Sequence, residues 1–361
     1  MSLARTLRKL ARPWDRARLR AELRRTASAD EPFPGARDAV RAELAPFSAG
    51  ATAGARERQW QILRERDPKH AVRLRVRGGD VTLEGEDTEN VRARELGAAV
   101  RLLVEARGFP DLDVLVDVGD RLDLAVEHAP VLVYCRRREA RGQVLVPDFE
   151  ALRGHESLER AIDRASRENP WERKRPLAFW RGAPTGGRYD QPAWREIPRA
   201  RLVELSLRRP DLVDARFTSR THGADRNEEL AKRGAFAESV SPEQSLGFRY
   251  LIDVDGNASS WSRVVWTLRS NSLLLKQASP YVQWFYPWLE AGRHFVEIAS
   301  DMSDLEAKLA WAREHDGEAR AVADAGSTFA KDRLGRAPTV AYLALVLGEC
   351  AALVAAPPPV R

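Results

Sequence analysis

One segment of the sequence, residues 252–263, combines the residue types that bind a diphosphate. Small side chains let backbone N–H groups approach an anion, and a helix predicted to begin near Ala258 directs the positive end of its dipole to the same point. The candidate ligand residues here are Asp255, Gly256, Ala258, Ser259, Ser260 and Arg263. The alternative is an N-capped helix after a tight turn, with Arg263 in solvent.

The sequence Asp253-Val254-Asp255 leaves a further alternative open. Two carboxylates at this spacing can hold Mg²⁺ or Mn²⁺ against a diphosphate. They can equally cap the turn and the helix that follow.

A second candidate segment surrounds the end of a predicted strand at 177–180. Arg181 follows this strand directly, Gly182 and Thr185 lie in the glycine-rich turn after it, and Arg199 lies on a predicted helix at 194–208. Arginine side chains can stabilise the charge on a departing diphosphate without a metal. The alternative for each arginine is an ordinary surface position.

A third polar segment, residues 116–120, ends the predicted strand 113–118 and contains Asp117 and Asp120. Ligands of open α/β sheets bind beyond the carboxyl ends of the strands. All three segments therefore occupy positions at which a ligand is expected.

Strand and helix patterns alternate around these segments. A hairpin is predicted at 71–85, and a second alternating series begins at residue 177, which predicts an α/β fold with parallel strands. We expect a basic helical arm (1–50), an acceptor-side α/β domain (51–170), a nucleotide-sugar-binding α/β domain (171–315) and C-terminal helices (316–361).

The positive charge of the chain is concentrated at its start. The net charge of the 361 residues is +6, and residues 1–26 alone carry +7. In the same segment the apolar residues Leu3, Leu7, Leu10 and Trp14 recur at helical spacing. This pattern predicts a helix on an anionic membrane surface. A helix packed on the protein itself is the alternative, and no motif accompanies the arm that would favour nucleic acid.

The apolar segment 339–356 is interrupted by Glu349 and is barely long enough to span a bilayer, which favours a buried helix. Cys135 and Cys350 fit a reducing compartment. The arm lacks the apolar core of a signal peptide. We therefore expect a cytoplasmic protein, peripheral on the inner face of a membrane.

Several motifs in the second half of the chain resemble glycosyltransferase family 90, which includes protein O-glucosyltransferases, fungal capsule-associated proteins and bacterial lipopolysaccharide-modifying enzymes. They are AFWRG at 178–182, RRPDLVDA at 208–215, YLIDVDGNA at 250–258, SNSLLLK at 270–276, QWFYPWL at 283–289 and HFV at 294–296. Together, in family order over about residues 110–330, they are far more specific than any one alone.

The resemblance implies a GT-B fold, in which two Rossmann-like domains face a cleft, here with the C-terminal helices packing back. It implies inverting transfer without a metal or other cofactor, from a UDP-sugar held mainly by the C-terminal domain. The family's catalytic base, an aspartate after a short strand, aligns with Asp120. Gly119 stands where relatives often have a bulky polar residue, and Asp117 is a rival base.

The predicted function is transfer of a sugar to a lipopolysaccharide or related glycan. Eukaryotic relatives act on proteins in the secretory pathway and carry signals and disulfides, so we expect a glycan or glycolipid acceptor. The alternatives are a non-catalytic nucleotide- or glycan-binding protein on the same fold, and a scaffold that binds through its basic arm.

Deletion of residues 1–26 should release the protein from anionic vesicles and spare turnover of a soluble acceptor. Vesicle co-sedimentation measures this, and binding of the full chain should weaken as salt screens its charge. Unchanged vesicle binding by the deletion variant would rule the arm out as the membrane contact.

Overall fold

The computed structural model describes residues 31–48, 52–221 and 224–355, together with Ala21. The membrane helix predicted for residues 1–26 therefore falls, apart from Ala21, outside the described residues and stays a prediction. Contacts divide the chain into two compact units. Unit 1 extends to Tyr134 and adds Glu139–Gly154 and the chain from Gly335 onward, and unit 2 comprises Cys135–Arg138 and His155–Leu334.

The fold is mixed α/β. The described helices are α1 (Ala36–Leu44), α2 (Ala53–Arg66), α3 (Val91–Arg107), α4 (Phe149–Arg153), α5 (Glu156–Glu168), α6 (Pro198–Arg208), α7 (Ala224–Lys232), α8 (Pro242–Ser245), α9 (Ser262–Arg269), α10 (Leu305–Glu314), α11 (Asp316–Arg333) and α12 (Arg336–Ala355). The strands are β1 (Ala71–Arg77), β2 (Asp80–Gly85), β3 (Leu112–Asp117), β4 (Val131–Val133), β5 (Arg136–Arg137), β6 (Gln143–Leu145), β7 (Arg175–Gly182), β8 (Val213–Phe217), β9 (Phe248–Asp253), β10 (Leu273–Gln277), β11 (Tyr281–Val282) and β12 (Val296–Ile298).

Unit 1 is built on a mixed sheet with the described strand order β2-β1-β3-β4-β6. The predicted hairpin is confirmed as the antiparallel pair β1–β2, and Gly78 and Gly79 supply the positive φ angles of its turn. Strand β1 also pairs antiparallel with β3, which places Ala71 opposite Asp117. The pairs β3–β4 and β4–β6 are parallel.

Helix α12 packs against α1, α3, α4 and β3 within unit 1. Leu343, Val346 and Cys350 are buried, and Glu349 pairs with Arg37 and Arg41 of α1. The stretch Arg336–Leu353 is long and apolar enough to cross a membrane, yet 61% of it is buried inside the protein. The prediction of a buried helix for this apolar segment is confirmed, because the helix fills the core and its one acid has cationic partners.

Unit 2 contains a fully parallel sheet with the described order β12-β10-β9-β7-β8. The chain runs from β7 to β8 on one side and then returns to place β9 on the other side of β7. This is the 2-1-3-4-5 order of doubly wound sheets, and the reversal makes a topological switch point between β7 and β9. The loops after these two strands therefore leave the same edge of the sheet in opposite directions.

The contact boundaries fall at different residues from the predicted domain limits. Helix α5 belongs to unit 2, where Ile162 and Ala165 pack with Phe179 of β7. Of the predicted C-terminal helices, α11 packs on α9 and β10 of unit 2, whereas α12 belongs to unit 1. Helix α1, which lies within the predicted arm, packs on α12 and β6 of unit 1. Each helix belongs to the unit against which it buries its apolar face, and its position along the chain does not decide this.

Truncation of Leu343 to alanine should lower the free energy of unfolding by about 2–5 kcal/mol, because its side chain is fully buried. Chemical denaturation measures the change. Ala352→Ser on the exposed face of the same helix is the matched control and should stay within about 0.5 kcal/mol. Equal effects of the two substitutions would contradict the packing of α12.

Candidate functional site

The loops after β7 and β9 are joined by one arginine side chain at the switch point of unit 2. Arg199 of α6 donates to the carbonyl oxygen of Ala183 at 2.8 Å and to Thr185 Oγ1 at 2.7 Å. It also donates to the carbonyl oxygens of Val254 at 3.1 Å and Asp255 at 2.8 Å. The sequence suggested Arg199 as a diphosphate ligand, but its hydrogen bonds hold the two loops together.

Glycine is required where these loops touch. A Cβ atom on Gly256 would lie 2.8 Å from Thr185 Oγ1 and 3.0 Å from Arg199 Nη2. Gly186 has a φ of +91°, and a Cβ there would lie 3.1 Å from the carbonyl oxygen of Gly256. The Gly256 N–H donates to the carbonyl oxygen of Ala258 at 2.9 Å, so this amide closes the turn. The main role of these glycines is therefore to let the backbones of the two loops approach each other closely.

The carboxylates of Asp253 and Asp255 lie in a buried polar network below the second loop. Asp253 accepts a hydrogen bond from Ser260, and its Oδ2 lies 3.7 Å from Lys276 Nζ. Asp255 accepts from the hydroxyl of Ser279, and burial raises the pKa of Asp255 to about 6. Protein groups hold both carboxylates, which is the arrangement expected of residues that support the loop.

Helix α9 begins at Ser262, four residues after the predicted start near Ala258. Trp261 precedes it with a φ of 55° and a ψ of −128°, a conformation that L residues rarely adopt. The hydroxyl of buried Ser259 accepts from Gln283 Nε2 at 2.5 Å. The positive end of the helix dipole thus lies at 262, and the serines before it line the intervening loop.

Arg263 lies in the first turn of α9, and its Nη2 donates to the carbonyl oxygen of Arg181 at 2.6 Å. Burial lowers the pKa of this guanidinium, which Asp253 partly offsets. Arg181 instead pairs with Asp214 of β8, at 2.9 Å between Nη2 and Oδ1. Of the three predicted cationic ligands, Arg181 is therefore paired with a carboxylate, whereas Arg199 and Arg263 have no short ion pair to a carboxylate of the described residues.

The structure brings most of the predicted diphosphate residues to one place. Gly182 ends β7 and Thr185 lies in the loop after it, and those around the loop after β9 are Asp255, Gly256, Ala258, Ser259, Ser260 and Arg263. Sequence reasoning missed Gln277, which accepts from the Asp255 backbone N–H at 2.9 Å, and Gln283. A buried glutamine carries no distinctive sequence signal.

In unit 1, Asp120 follows β3 and is partly exposed. Its Oδ1 accepts from Arg92 Nη2 at 2.5 Å, and Arg92 Nη1 donates to the carbonyl oxygen of Val118 at 3.0 Å. The carboxylate is thus accessible and ionically paired. Arg92 was not a candidate from sequence, because 28 residues separate it from Asp120.

The rival aspartate, Asp117, lies in a different environment. It is 1% exposed, its Oδ1 accepts from the Gly119 N–H at 2.9 Å, and its Oδ2 has no hydrogen-bond partner among the described residues. Burial, with a smaller contribution from the carboxylate of Asp67, raises the pKa of Asp117 to about 7. Asp117 is therefore partly protonated at neutral pH.

Asp67, His70 and Asp117 form a group whose ligand-type atoms lie within 4.8 Å of one another. One imidazole and two carboxylates could hold a divalent cation. His70 Nδ1 and Asp67 Oδ1 lie 2.7 Å apart, however, which is closer than two ligands of one zinc ion at about 2 Å each would lie in a tetrahedral site. Binding of a cation would break the hydrogen bond between Asp67 and His70. Protonation of Asp117 removes the buried negative charge and leaves that hydrogen bond in place.

Asp117→Asn should stabilise the protein more at high pH than at low pH. The folded pKa of about 7 exceeds the unfolded value of 3.8, so the wild type loses stability as pH rises between them. The gain in unfolding free energy should be about 2 kcal/mol larger at pH 8 than at pH 5. Chemical denaturation at both pH values measures it, with Asp87→Asn at an exposed position as control. A gain independent of pH would contradict the buried acid.

Comparison with known proteins adds independent observations. The family model described as Glycosyl transferase family 90 matches residues 48–361. Human protein O-glucosyltransferase 3 is 30% identical over 266 residues, covering 70% of this chain and 49% of the relative. Rat protein O-glucosyltransferase 1 is 24% identical over 326 residues, covering 86% of this chain and 78% of the relative. The chain spans about half the length of the first of these relatives.

Among solved structures, the Anabaena protein HepE, crystallised with UDP and glucose, aligns with a TM-score of 0.40 and 9% identity. The alignment covers 68% of this chain and 72% of HepE. The match of the family model to most of the chain confirms the resemblance predicted from the motifs: this chain belongs to glycosyl transferase family 90.

Proposed function

We propose that this protein is an inverting, metal-independent glycosyltransferase that moves a sugar from a UDP-sugar to a hydroxyl group of a lipopolysaccharide or related glycan. A GT-B arrangement of the two units, with the donor held by unit 2, is part of the proposal. The observation that carries it is the meeting of the loops after β7 and β9 at the switch point of a parallel sheet, where nucleotides bind in doubly wound folds. Family membership supports the same reaction class.

The diphosphate of the donor would lie against the loop before α9. Arg263, the hydroxyl of Ser259 and the first N–H groups of α9 are the donors proposed to bind it. The Arg263 side chain and backbone N–H donate here to the carbonyl oxygens of Arg181 and Ser260, so binding would exchange these hydrogen bonds for ones to the diphosphate. As the bond between the anomeric carbon and the diphosphate oxygen breaks, negative charge develops on the departing UDP. Arg263 and these N–H groups would stabilise that charge.

Asp120 would act as the base. The acceptor hydroxyl has a pKa far above 7, so it must lose its proton as its oxygen attacks the anomeric carbon from the side opposite UDP. Partial exposure and the ion pair with Arg92 suit Asp120 to this role better than buried Asp117, which is partly protonated at neutral pH. The proton passes to Asp120, and the new glycosidic bond has inverted configuration.

A protein acceptor is the second candidate, since the relatives named protein O-glucosyltransferase are similar over most of this chain. Purified protein incubated with a panel of labelled UDP-sugars, and then with either a glycan or a folded protein acceptor, separates the two. Transfer to protein alone would overturn the glycan proposal. Nucleotide binding without hydrolysis or transfer of any donor would favour the non-catalytic alternative.

The proposed location is the cytoplasmic face of a membrane, with residues 1–26 on anionic lipid. The excess of basic residues in this arm and its apolar stripe support that placement.

Two substitutions should separate the base from the donor site. Asp120→Asn should leave UDP affinity intact and lower transfer by roughly 10²–10⁴-fold, because only proton removal is lost. Arg263→Ala should weaken UDP binding by roughly 10–100-fold as well as turnover, because a charge-assisted contact disappears. Calorimetry with UDP and a transfer assay measure both. If Asp120→Asn retains transfer and Asp117→Asn loses it, Asp117 is the base.

Chelators should leave transfer unchanged, since Arg263 and backbone N–H groups take the place of a metal at the diphosphate. The measurement is initial rate with and without EDTA, with UDP affinity followed in parallel. Activity abolished by EDTA and restored by Mn²⁺ would instead make Asp253 and Asp255 a metal clamp.

A further inference from the structure

Arg92 contacts two parts of the loop that carries Asp120. Its Nη2 donates to Asp120 Oδ1 at 2.5 Å, and its Nη1 donates to the carbonyl oxygen of Val118 at 3.0 Å. One planar guanidinium thus holds both the carboxylate and the backbone two residues before it. Two N–H groups in a fixed fork restrict direction as well as distance, which a single ammonium group does not.

Arg92 is itself held by neighbours on three sides. The Asn90 side chain caps α3 and accepts from the backbone N–H of Arg92 at 2.9 Å. The Tyr134 hydroxyl donates to the carbonyl oxygen of Arg92 at 2.9 Å. The guanidinium lies over the ring of Phe149, 4.9 Å from its centroid. These contacts fix the arginine before any acceptor arrives.

The contact with Asp120 uses only one carboxylate oxygen. Within the described part of the chain, no group donates to Asp120 Oδ2, and the side chain is 36% exposed. Arg92 therefore orients one oxygen, and the other is left without a donor among the described residues in a side chain that is partly exposed. An arginine stays protonated in proteins, so it cannot take the acceptor's proton in place of the carboxylate.

We propose that Arg92 is a positioning residue for the reaction: it orients Asp120 so that Oδ2 receives the proton of the acceptor hydroxyl. This inference rests on the proposed role of Asp120 as the base. Arg92 acts through Asp120 and does not touch the sugar donor. Its loss should therefore reduce the rate of transfer without changing the affinity for UDP.

The test compares Arg92→Met, Arg92→Lys, Asp120→Asn and the double variant Arg92→Met/Asp120→Asn. Arg92→Met should lower kcat by roughly 10–100-fold, the loss expected when a reacting group is misplaced by about 1 Å. Arg92→Lys should recover part of this, because lysine restores the charge but not the fork. The double variant should be no slower than Asp120→Asn alone, since an arginine that acts through the carboxylate has nothing left to orient.

Arg121→Met is the matched control. Arg121 lies next to Asp120 on the same loop but pairs with Asp123, at 2.7 Å, so its loss should leave kcat near the wild-type value. Thermal unfolding and UDP calorimetry on every variant verify folding and donor binding. Multiplicative losses in the double variant, a parallel fall in UDP affinity, or an equal loss in Arg121→Met would each overturn the inference. If Asp120→Asn itself transfers normally, the proposed base is wrong, which is a separate outcome.

Discussion

The hydrogen bonds of one guanidinium hold together the two loops at the switch point of unit 2. Arg199 receives its partners from both loops at the switch point, and all of them are neutral oxygens of Ala183, Thr185, Val254 and Asp255. Burial, together with the nearby charge of Arg263, lowers the pKa of Arg199 to about 10, so it remains cationic at neutral pH. A partly buried cation satisfied by carbonyl oxygens holds two chain segments at a constant separation, which is what a nucleotide site at a sheet edge requires.

The buried polar groups below the second loop add to this rigidity. Asp253 is fully buried with Ser260 and Lys276, and Asp255 is held by Ser279 and by the backbone contact to Gln277. Each aspartate keeps one hydrogen-bonded oxygen, whereas Asp253 Oδ2 and Asp255 Oδ1 are buried and accept no hydrogen bond from the described residues. The bonds that do form favour one arrangement of the loop, because losing them would leave these carboxylates buried without any hydrogen bond. The unusual backbone angles of Trp261 can persist only in such a constrained setting.

Unit 1 shows how neighbouring aspartates acquire different chemistry. Asp117 ends β3, is covered by the sheet and by the Asp67–His70 pair, and therefore has a raised pKa of about 7. Asp120 lies three residues later on the loop, where water and Arg92 both reach it. Burial leaves Asp117 partly protonated at neutral pH, whereas Asp120, three residues later, is partly exposed and paired with a cation.

The sequence alone determined the family, the alternation of strands and helices, the hairpin at 71–85 and the segments that carry chemistry, because glycine turns, apolar periodicity and motif order are local properties. Tertiary structure decided the remaining features. It set the start of α9 at Ser262 and gave Arg199 its role in joining the two loops. It also paired Arg181 with Asp214 and brought Arg92 to Asp120. Each depends on contacts between residues remote in sequence or on how a turn closes. The sequence does not distinguish an arginine that can bind a phosphate from one whose guanidinium already donates to protein groups. The packing of the folded chain decides which partners it has.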